Sequence, residues 1–515
     1  MKTEGAMEKM NIFNTEKRIR LGIWGLGRGS AFIKAARELN IDVVAGCDFN
    51  DEIRERFRKE CPEAKITSDE KEFLSNPDMD AVLVATFFTA HADHAIKALE
   101  AGYHVMSEVT AFFTPADGVR LAEAVEKSGK VYNLLENYPF TKENMYLAKM
   151  WKDGLFGEFQ YGEFDYLHSC RDLCYRYCVP PDFPEIEPGY TAHSWRSWLD
   201  FHYYCTHSLG PCMKIAGVRP VEITAFPEAV ELPGFLPGSG MSKPCASLIR
   251  MNNGGIMRNL CGATTGDYHM AKRIWGTRAA AESLDGNLTL RLGAAGGAEK
   301  TPVQPVWPEL GELAETSGHG GGDFWELYYF ARQILTGEPA PWDIYSACDV
   351  TLAGIMAVRS HEQNGAPMEI PDFRDPAVRE KYRNDHGAMK RPFDPAKIFP
   401  EGHDTALTSG FNRLIVSLEK TSVLLRKALD GAKVYEQISG DKARLQVIQS
   451  LHQILEQLPA LFEARSAAQN LISLYPDSPA AYALKGMLTL SEPEASQGQD
   501  LLRQSVENEI KRLLK

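Results

Sequence analysis

What this 515-residue chain lacks narrows its class first. It has no apolar run of the roughly 18 residues that a membrane-crossing helix needs, so no membrane partner is expected. The N-terminal stretch, Met1 to Lys17, carries charges but no apolar centre, which is not the pattern of a secretory signal. There is no surplus of positive charge. Lys and Arg number 56 against 69 Asp and Glu, a net −13, whereas a nucleic-acid partner needs a basic face. The ten cysteines follow no disulfide-framework spacing, which fits reduced thiols and a cytoplasmic location. Cys170, Cys174 and Cys178 share helical spacing but find no fourth ligand at a suitable distance, so no metal site is expected. Beyond Thr408 cysteine and tryptophan are both absent, which separates that segment from the rest of the chain.

What is there begins with GIWGLGRGS, Gly22 to Ser30. A β-like run, Arg18 to Leu21, precedes it, and a helix-like run, Ala31 to Leu39, follows. Strand, glycine turn and helix together make a dinucleotide-binding fingerprint. Gly25 permits the tight turn. Gly27 lets the backbone approach a pyrophosphate, which then sits on the positive end of the helix. Gly29 and Ser30 complete the turn, and Arg28 offers a charge-assisted contact to phosphate. The third fingerprint glycine is missing, with Ser30 or Ala31 in its place. The second strand, Asp42 to Cys47, ends in Asp48, where an acid grips a ribose 2′-OH and repels a 2′-phosphate. NAD is therefore expected over NADP.

Helix-like and strand-like segments then alternate: 51–59 helix, 80–86 strand, 92–101 helix, 104–108 strand, 117–127 helix and 130–136 strand. Such alternation means βαβ units and a doubly wound parallel sheet. The expected organisation is an N-terminal arm over 1–17, a Rossmann domain over 18–139, an α+β domain over 140–405 and a helical extension over 406–515. The α+β domain carries strand-like runs at 157–168, 220–226, 245–252, 255–262, 273–277 and 287–293, which suggest a mostly antiparallel open sheet. The segments 180–189 and 227–244 read as long loops. In the extension, 464–490 looks like a tetratricopeptide-type helix–turn–helix. One or two such units rarely stand alone. The extension reads as a stabiliser of the fold or of a homo-oligomer, with a partner-docking module and an artificial fusion as alternatives.

The block ATFFTAHADHAIKALEAGYHVMSEVTAFFT, Ala85 to Thr114, resembles the Gfo/Idh/MocA oxidoreductase family. Most members carry Glu-Lys-Pro after the strand, with the lysine near the reacting hydroxyl. Here the triad is Glu108-Val109-Thr110, so the lysine is gone. Leu135 to Asn137, Phe156 to His168, Tyr204 to Pro211 and Gly318 to Phe324 look like the motif series of glycoside hydrolase family 109, whose GHGGMDF has Gly322 in place of methionine here. The likeness covers residues 18–375.

That resemblance implies bound NAD as a recycled cofactor, oxidation of a sugar at C3, loss of the C1 substituent by elimination, addition of water and re-reduction. A C–H beside a carbonyl ionises far more readily than an isolated one, so paired carboxylates are not required. The proton-handling candidates are Tyr166, His168, Tyr204 and His207. Tyr166 and His168 share one strand face, and one of them is the expected base at C2. His207 is expected at the C3 hydroxyl, a task that suits histidine. Thr86, His91, Glu108, Val109, Glu136 and Asn137 are expected along the cofactor edge, Glu136 orienting either nicotinamide or sugar. Trp195, Trp198, His319 and Asp323 are the substrate-binding candidates. His193 and the two tryptophans form either a sugar-facing wall or core packing. A glycoside 3-dehydrogenase that releases a 3-keto product is the alternative function, and a noncatalytic binding protein using the tail is the third.

Overall fold

The computed structural model describes residues 12–169, 171–175, 195–265, 271–284, 286–307 and 310–515. Cys170, Cys178, His193 and the expected loop over 180–189 lie outside them. Within the described residues, Phe13 of the N-terminal arm is buried and stacks on Tyr328, 5.4 Å between ring centres.

Six strands form the first sheet: β1 (Ile19–Trp24), β2 (Ile41–Cys47), β3 (Lys65–Thr67), β4 (Ala81–Val84), β5 (His104–Glu108) and β6 (Tyr132–Leu135). They are parallel, in the order β3-β2-β1-β4-β5-β6. The strand order reverses between β1 and β4, and this opens a crevice at the carboxyl edge. β4, AVLV, is buried at every position, as a parallel strand covered on both faces must be. β3 spans three residues, none buried, and leaves no readable apolar run. The helical turn after β1 starts at Leu26, earlier than Ala31, and passes through a 3-10 turn at Ser30–Phe32 before Ile33–Glu38. At Gly29 a Cβ would come 2.4 Å from Ile23 Cγ2. The packing task of the missing third fingerprint glycine is thus met by Gly29.

The second sheet has nine strands among the described residues: β7 (Phe159–Leu167), β8 (Pro220–Ala225), β9 (Pro244–Met251), β10 (Ile256–Gly262), β11 (Lys272–Gly276), β12 (Ala280–Leu284), β13 (Asn287–Arg291), β14 (Thr301–Pro302) and β15 (Met368–Glu369). The order is β14-β13-β12-β11-β7-β10-β9-β8-β15, antiparallel throughout except for β7 beside β10. β9 alternates buried and exposed residues along its length, the signature of a sheet with one covered face. The helices Thr206–Ala216 and Ile344–Glu362 pack on this sheet. The second also meets β6 and the helix Pro115–Ser128, so it is wedged between the two domains and buried along most of its length.

From Thr405 the chain is helical: Thr405–Thr408, Phe411–Lys433, Asp441–Leu474, Pro479–Thr489 and Gln499–Leu513. The helix–turn–helix expected over 464–490 is present. Its first arm, however, is the end of a 34-residue helix, which pairs with Phe411–Lys433 in a hairpin unlike a short repeat unit. The near half of this extension shares the main core through Phe411, Ile415, Leu418, Leu484 and Met487. The far half closes a core of its own around Leu451, Ile454, Leu502 and Val506. Among the described residues no helix is long and apolar enough to cross a membrane.

Phe411 is fully buried and meets Tyr175 and Phe399 edge-on at 5.6 and 5.5 Å. Phe411→Ala should therefore lower the unfolding free energy of the whole chain by about 3–5 kcal/mol. Denaturant titration of both proteins measures this. A loss below about 1 kcal/mol would show that the extension is not part of the main core.

Candidate active site

The cofactor edge is built from the carboxyl ends of the parallel strands. Gly25 adopts φ 94°, and a Cβ there would lie 2.3 Å from Ala85 O. Only glycine fits. At Gly27 a Cβ would find a single neighbour, Ile53 Cδ1 at 3.8 Å, so the backbone faces open space, as a pyrophosphate cradle requires. Asp48 is buried just past β2 and accepts hydrogen bonds from Leu26 N and Asn50 N, each at 2.8 Å. Burial pushes its carboxyl up, and those N–H donors and Arg54 pull it back. Each oxygen keeps a further lone pair for a ribose hydroxyl. These residues fit NAD.

Other residues expected on this edge brace it from behind. The ring nitrogens of His91 lie 2.8 Å from Thr110 O and 3.1 Å from Thr86 O, so the ring is spent on backbone rather than offered to a cofactor. Thr86 Oγ1 bonds His94 Nδ1 at 2.8 Å, and His94, stacked on Trp24, is pushed down to about 4 by burial. Ser30 Oγ donates to Leu26 O at 2.6 Å. Val109 is buried and apolar where the lysine would stand.

Arg28 is placed differently from the sequence reading. Its Nε donates to Glu108 Oε1 at 2.7 Å, and its two terminal nitrogens donate to Asp323 at 3.0 and 2.9 Å. A phosphate would have to compete with both carboxylates, so Arg28 is a bridge between the domains. Asp323, 1 % exposed, also accepts from Asn137 Nδ2 at 3.2 Å and holds His319 Nδ1 at 2.9 Å. It is thereby engaged on the protein and is not a free sugar ligand. Burial acts against ionisation here, but His319 and Arg28 hold the Asp323 carboxyl below the usual aspartate range. Glu326, one helical turn on and unread in the sequence, is buried with both oxygens unpartnered. Burial, then Asp323 and Glu108, push its carboxyl well up.

Facing this cluster is the second group of side chains. His207 lies in the first turn of Thr206–Ala216, and its Nδ1 stands 2.8 and 3.0 Å from the two oxygens of Glu136, just past β6. A carboxylate only accepts, so Nδ1 carries the proton shared with Glu136. Glu136, fully buried, also accepts from Tyr138 N at 3.2 Å. Its oxygens are thereby engaged by His207 and the Tyr138 backbone. The His207 ring is flanked by Tyr166 at 4.6 Å, Tyr138 at 4.7 Å and Tyr204 at 5.6 Å. His168 stands 6.0 Å from Tyr166, and His319 6.0 Å from Tyr138. Tyr166, His168, Tyr204, His207 and His319 thus meet, although more than 150 positions separate the first from the last. Tyr138 was missed, and its place two residues past Glu136 is the signal that could have found it. Trp195 reaches this group by stacking on Tyr204 at 6.1 Å. Trp198 does not. It is fully buried, with Phe113 at 6.1 Å and Arg391 over its ring, so it belongs to the core and not to a sugar wall.

Residues 19–135 match the oxidoreductase family described as an NAD-binding Rossmann fold, and 300–380 match the glycosyl hydrolase 109 C-terminal domain. Residues 19–135 thus carry the Gfo/Idh/MocA nucleotide-binding fold, and the chain resembles glycoside hydrolase family 109. NAD is its cofactor. An alpha-N-acetylgalactosaminidase of Tannerella forsythia is 28% identical over 377 residues, which cover 64% of this chain and 80% of that protein. A family 109 protein of Saccharopolyspora erythraea is 24% identical over 423 residues, covering 74% and 88%. Among solved structures, levoglucosan dehydrogenase in complex with NADH and levoglucosan superposes with a TM-score of 0.56 at 18% identity, covering 69% of this chain and all of that one. At Gly322, where the family 109 motif has methionine, a Cβ would come 2.4 Å from Asn137 O. The helix here lies directly on the end of β6.

Asp48→Ala should weaken NAD binding and reduce discrimination against NADP, measured by titrating each cofactor against both proteins. A wild type that prefers NADP would refute this assignment. Arg28→Ala leaves Asp323 buried beside Glu108 without its main counter-charge. It should cost about 3 kcal/mol, the low end for a broken buried pair because Arg28 is 30% exposed. Because the folded Asp323 value is depressed, its stabilisation is full above the unfolded value of about 3.9 and is lost as pH falls below it. Stability curves of the two proteins should therefore converge at the acid end, and a constant offset down to that end would exclude the pairing.

Proposed function

We propose that this chain is an NAD-dependent enzyme that cleaves glycosides by oxidising C3 of the sugar, eliminating the C1 substituent, adding water and restoring C3. When bound, NAD supplies the acceptance and return of the hydride at C3. Gly25, Gly27 and Asp48 would hold it. The observation that carries the reading is the His207–Glu136 pair at 2.8 Å, standing beside a carboxyl edge where Val109 has replaced the expected lysine.

His207 is the base for the C3 hydroxyl. Glu136 fixes its tautomer and stabilises the charge gained with the proton, the logic of every carboxylate-oriented imidazole base. Tyr166 and His168, at the end of β7, handle the proton at C2 once C3 is a ketone. Returning that proton to C2 as water adds at C1 would use the same group in reverse. Tyr204, 5.6 Å from the His207 ring, and His319, 6.0 Å from Tyr138, suit hydroxyl contacts. The 28% identical relative named alpha-N-acetylgalactosaminidase supports a 2-acetamido sugar as substrate class.

Aryl glycosides incubated with the protein in D₂O test the route. Deuterium at C2 of the released sugar is the expected result. A 3-keto product without deuterium would instead make the protein a glycoside 3-dehydrogenase. His207→Ala should slow hydride transfer by about 10²–10⁴-fold while NAD still binds. Tyr166→Phe should leave oxidation intact and retard aglycone release, so reduced cofactor builds up on mixing. Equal loss of oxidation in both variants would overturn this division of labour.

A further inference from the structure

The helix Thr206–Ala216 carries His207 in its first turn and Lys214 in its last. Seven residues separate the two, about 10 Å along the helix axis. Lys214 is half-buried, and its Nζ stands over the rings of Phe140 and Tyr329 at 5.6 and 5.8 Å. Among the described residues no carboxylate pairs with it and no hydrogen bond uses it. Burial, then Arg332 and Lys152, push the ammonium down to about 8. Arg332, whose guanidinium also lies over Tyr329 at 5.0 Å, has Glu338 at 3.4 Å, whereas Lys214 has no counter-charge. Charges taken out of water are ordinarily paired.

Lys214 lines a cavity of about 370 Å³ together with Arg219, Trp342, Ser346, Asp349 and Arg374. Small-molecule sites run from roughly 300 to 1,000 Å³. Arg374 donates to the two oxygens of Asp349 at 3.0 and 2.8 Å, and Arg219 Nη2 donates to Asp372 Oδ2 at 2.6 Å. These two arginines and two aspartates balance, which leaves Lys214 as the surplus charge of the lining. The unspent hydrogen-bonding groups lean the same way. Trp342 Nε1 and Arg219 Nη1 are buried donors without a partner, Nη1 standing 3.8 Å from Asp349 Oδ1, beyond hydrogen-bond reach. Arg332 Nε, beside Tyr329, is a third such donor. Among the described residues no side-chain acceptor on the lining is buried without a partner. Buried polar atoms are rarely left so, and what these lack is an acceptor with negative charge.

We propose that this cavity binds a small organic anion, its carboxylate or phosphate group paired with Lys214 and its body lying against Trp342. The site is separate from the sugar cleft and from the cofactor edge. Trp342 O accepts from Leu134 N at 3.3 Å, on the strand that leads to Glu136. An anion held between Lys214 and Trp342 therefore ties the helix that carries His207 to the strand that carries its orienting carboxylate, without touching either reactant.

Full-length protein saturated with NAD is titrated calorimetrically with benzoate, phenyl phosphate and, as the neutral control, benzyl alcohol. Binding of at least one of the two anions, and not of the alcohol, is the expected result, and whichever anion binds more tightly identifies the oxyanion group that the site takes. Lys214→Met and Lys214→Gln keep the length or the polarity of the side chain but not its charge. Both should bind the anion about 10–100-fold more weakly, the loss of one charge-assisted hydrogen bond. Unchanged NAD binding by the variants checks that they fold. Failure of both anions to bind, or an alcohol bound as tightly as the anions, would overturn the proposal. So would an anion affinity unchanged in both variants, which would mean an adventitious additive only.

Discussion

The guanidinium of Arg28 is the contact on which the arrangement of the cleft depends. It leaves the glycine turn of one domain and is held by Glu108 from the same domain and by Asp323 from the other. A carboxylate as deeply buried as Asp323 is tenable only with charge and hydrogen bonds around it. Its donors come from the turn after β1, the end of β6 and the loop before its own helix. Satisfying one buried charge therefore sets the cofactor turn, the β6 end and the His319 loop at fixed mutual distances. Hydride and proton chemistry need such fixed distances between groups on different domains.

The position after β5 where the family resemblance implies a lysine is Val109. Val109 leaves the strand end apolar, while Glu136 at the neighbouring strand end reaches across to His207. The pair is divided between elements, its carboxylate just past β6 and its imidazole on the helix Thr206–Ala216. The tyrosines at 138, 166 and 204 flank the imidazole at 4.7, 4.6 and 5.6 Å. The helical extension enters the same frame. Arg171, three residues past His168, pairs with Glu419, and Tyr175 packs on Phe411. Residues 171–175 are thus seated on the extension.

Much of the fold was legible because its signals are local. The alternation of AVLV, HVMSE and YNLL with amphipathic helices is written in consecutive residues, and strand, turn and helix around Gly25 required nothing distant. β3 escaped because three half-exposed residues form no pattern. The window 464–490 shows its helix–turn–helix but not that the first arm continues back to Asp441.

The site divides along the same line. Asp48 was nominated by its place at the end of the second strand, whereas Glu136, Tyr166, His168, Tyr204 and His207 were nominated only by the resemblance of their short motifs to a known family. What each side chain touches was decided by the tertiary structure. Arg28 next to a phosphate cradle reads as a phosphate ligand until Asp323, 295 positions away, is seen to occupy it. Trp198 and Trp195 are indistinguishable in AHSWRSW, yet one is buried against Phe113 and the other stacks on Tyr204. Residue chemistry and local spacing are properties of the chain itself. Charge compensation and burial depend on which distant segments the packed core brings within a few ångströms.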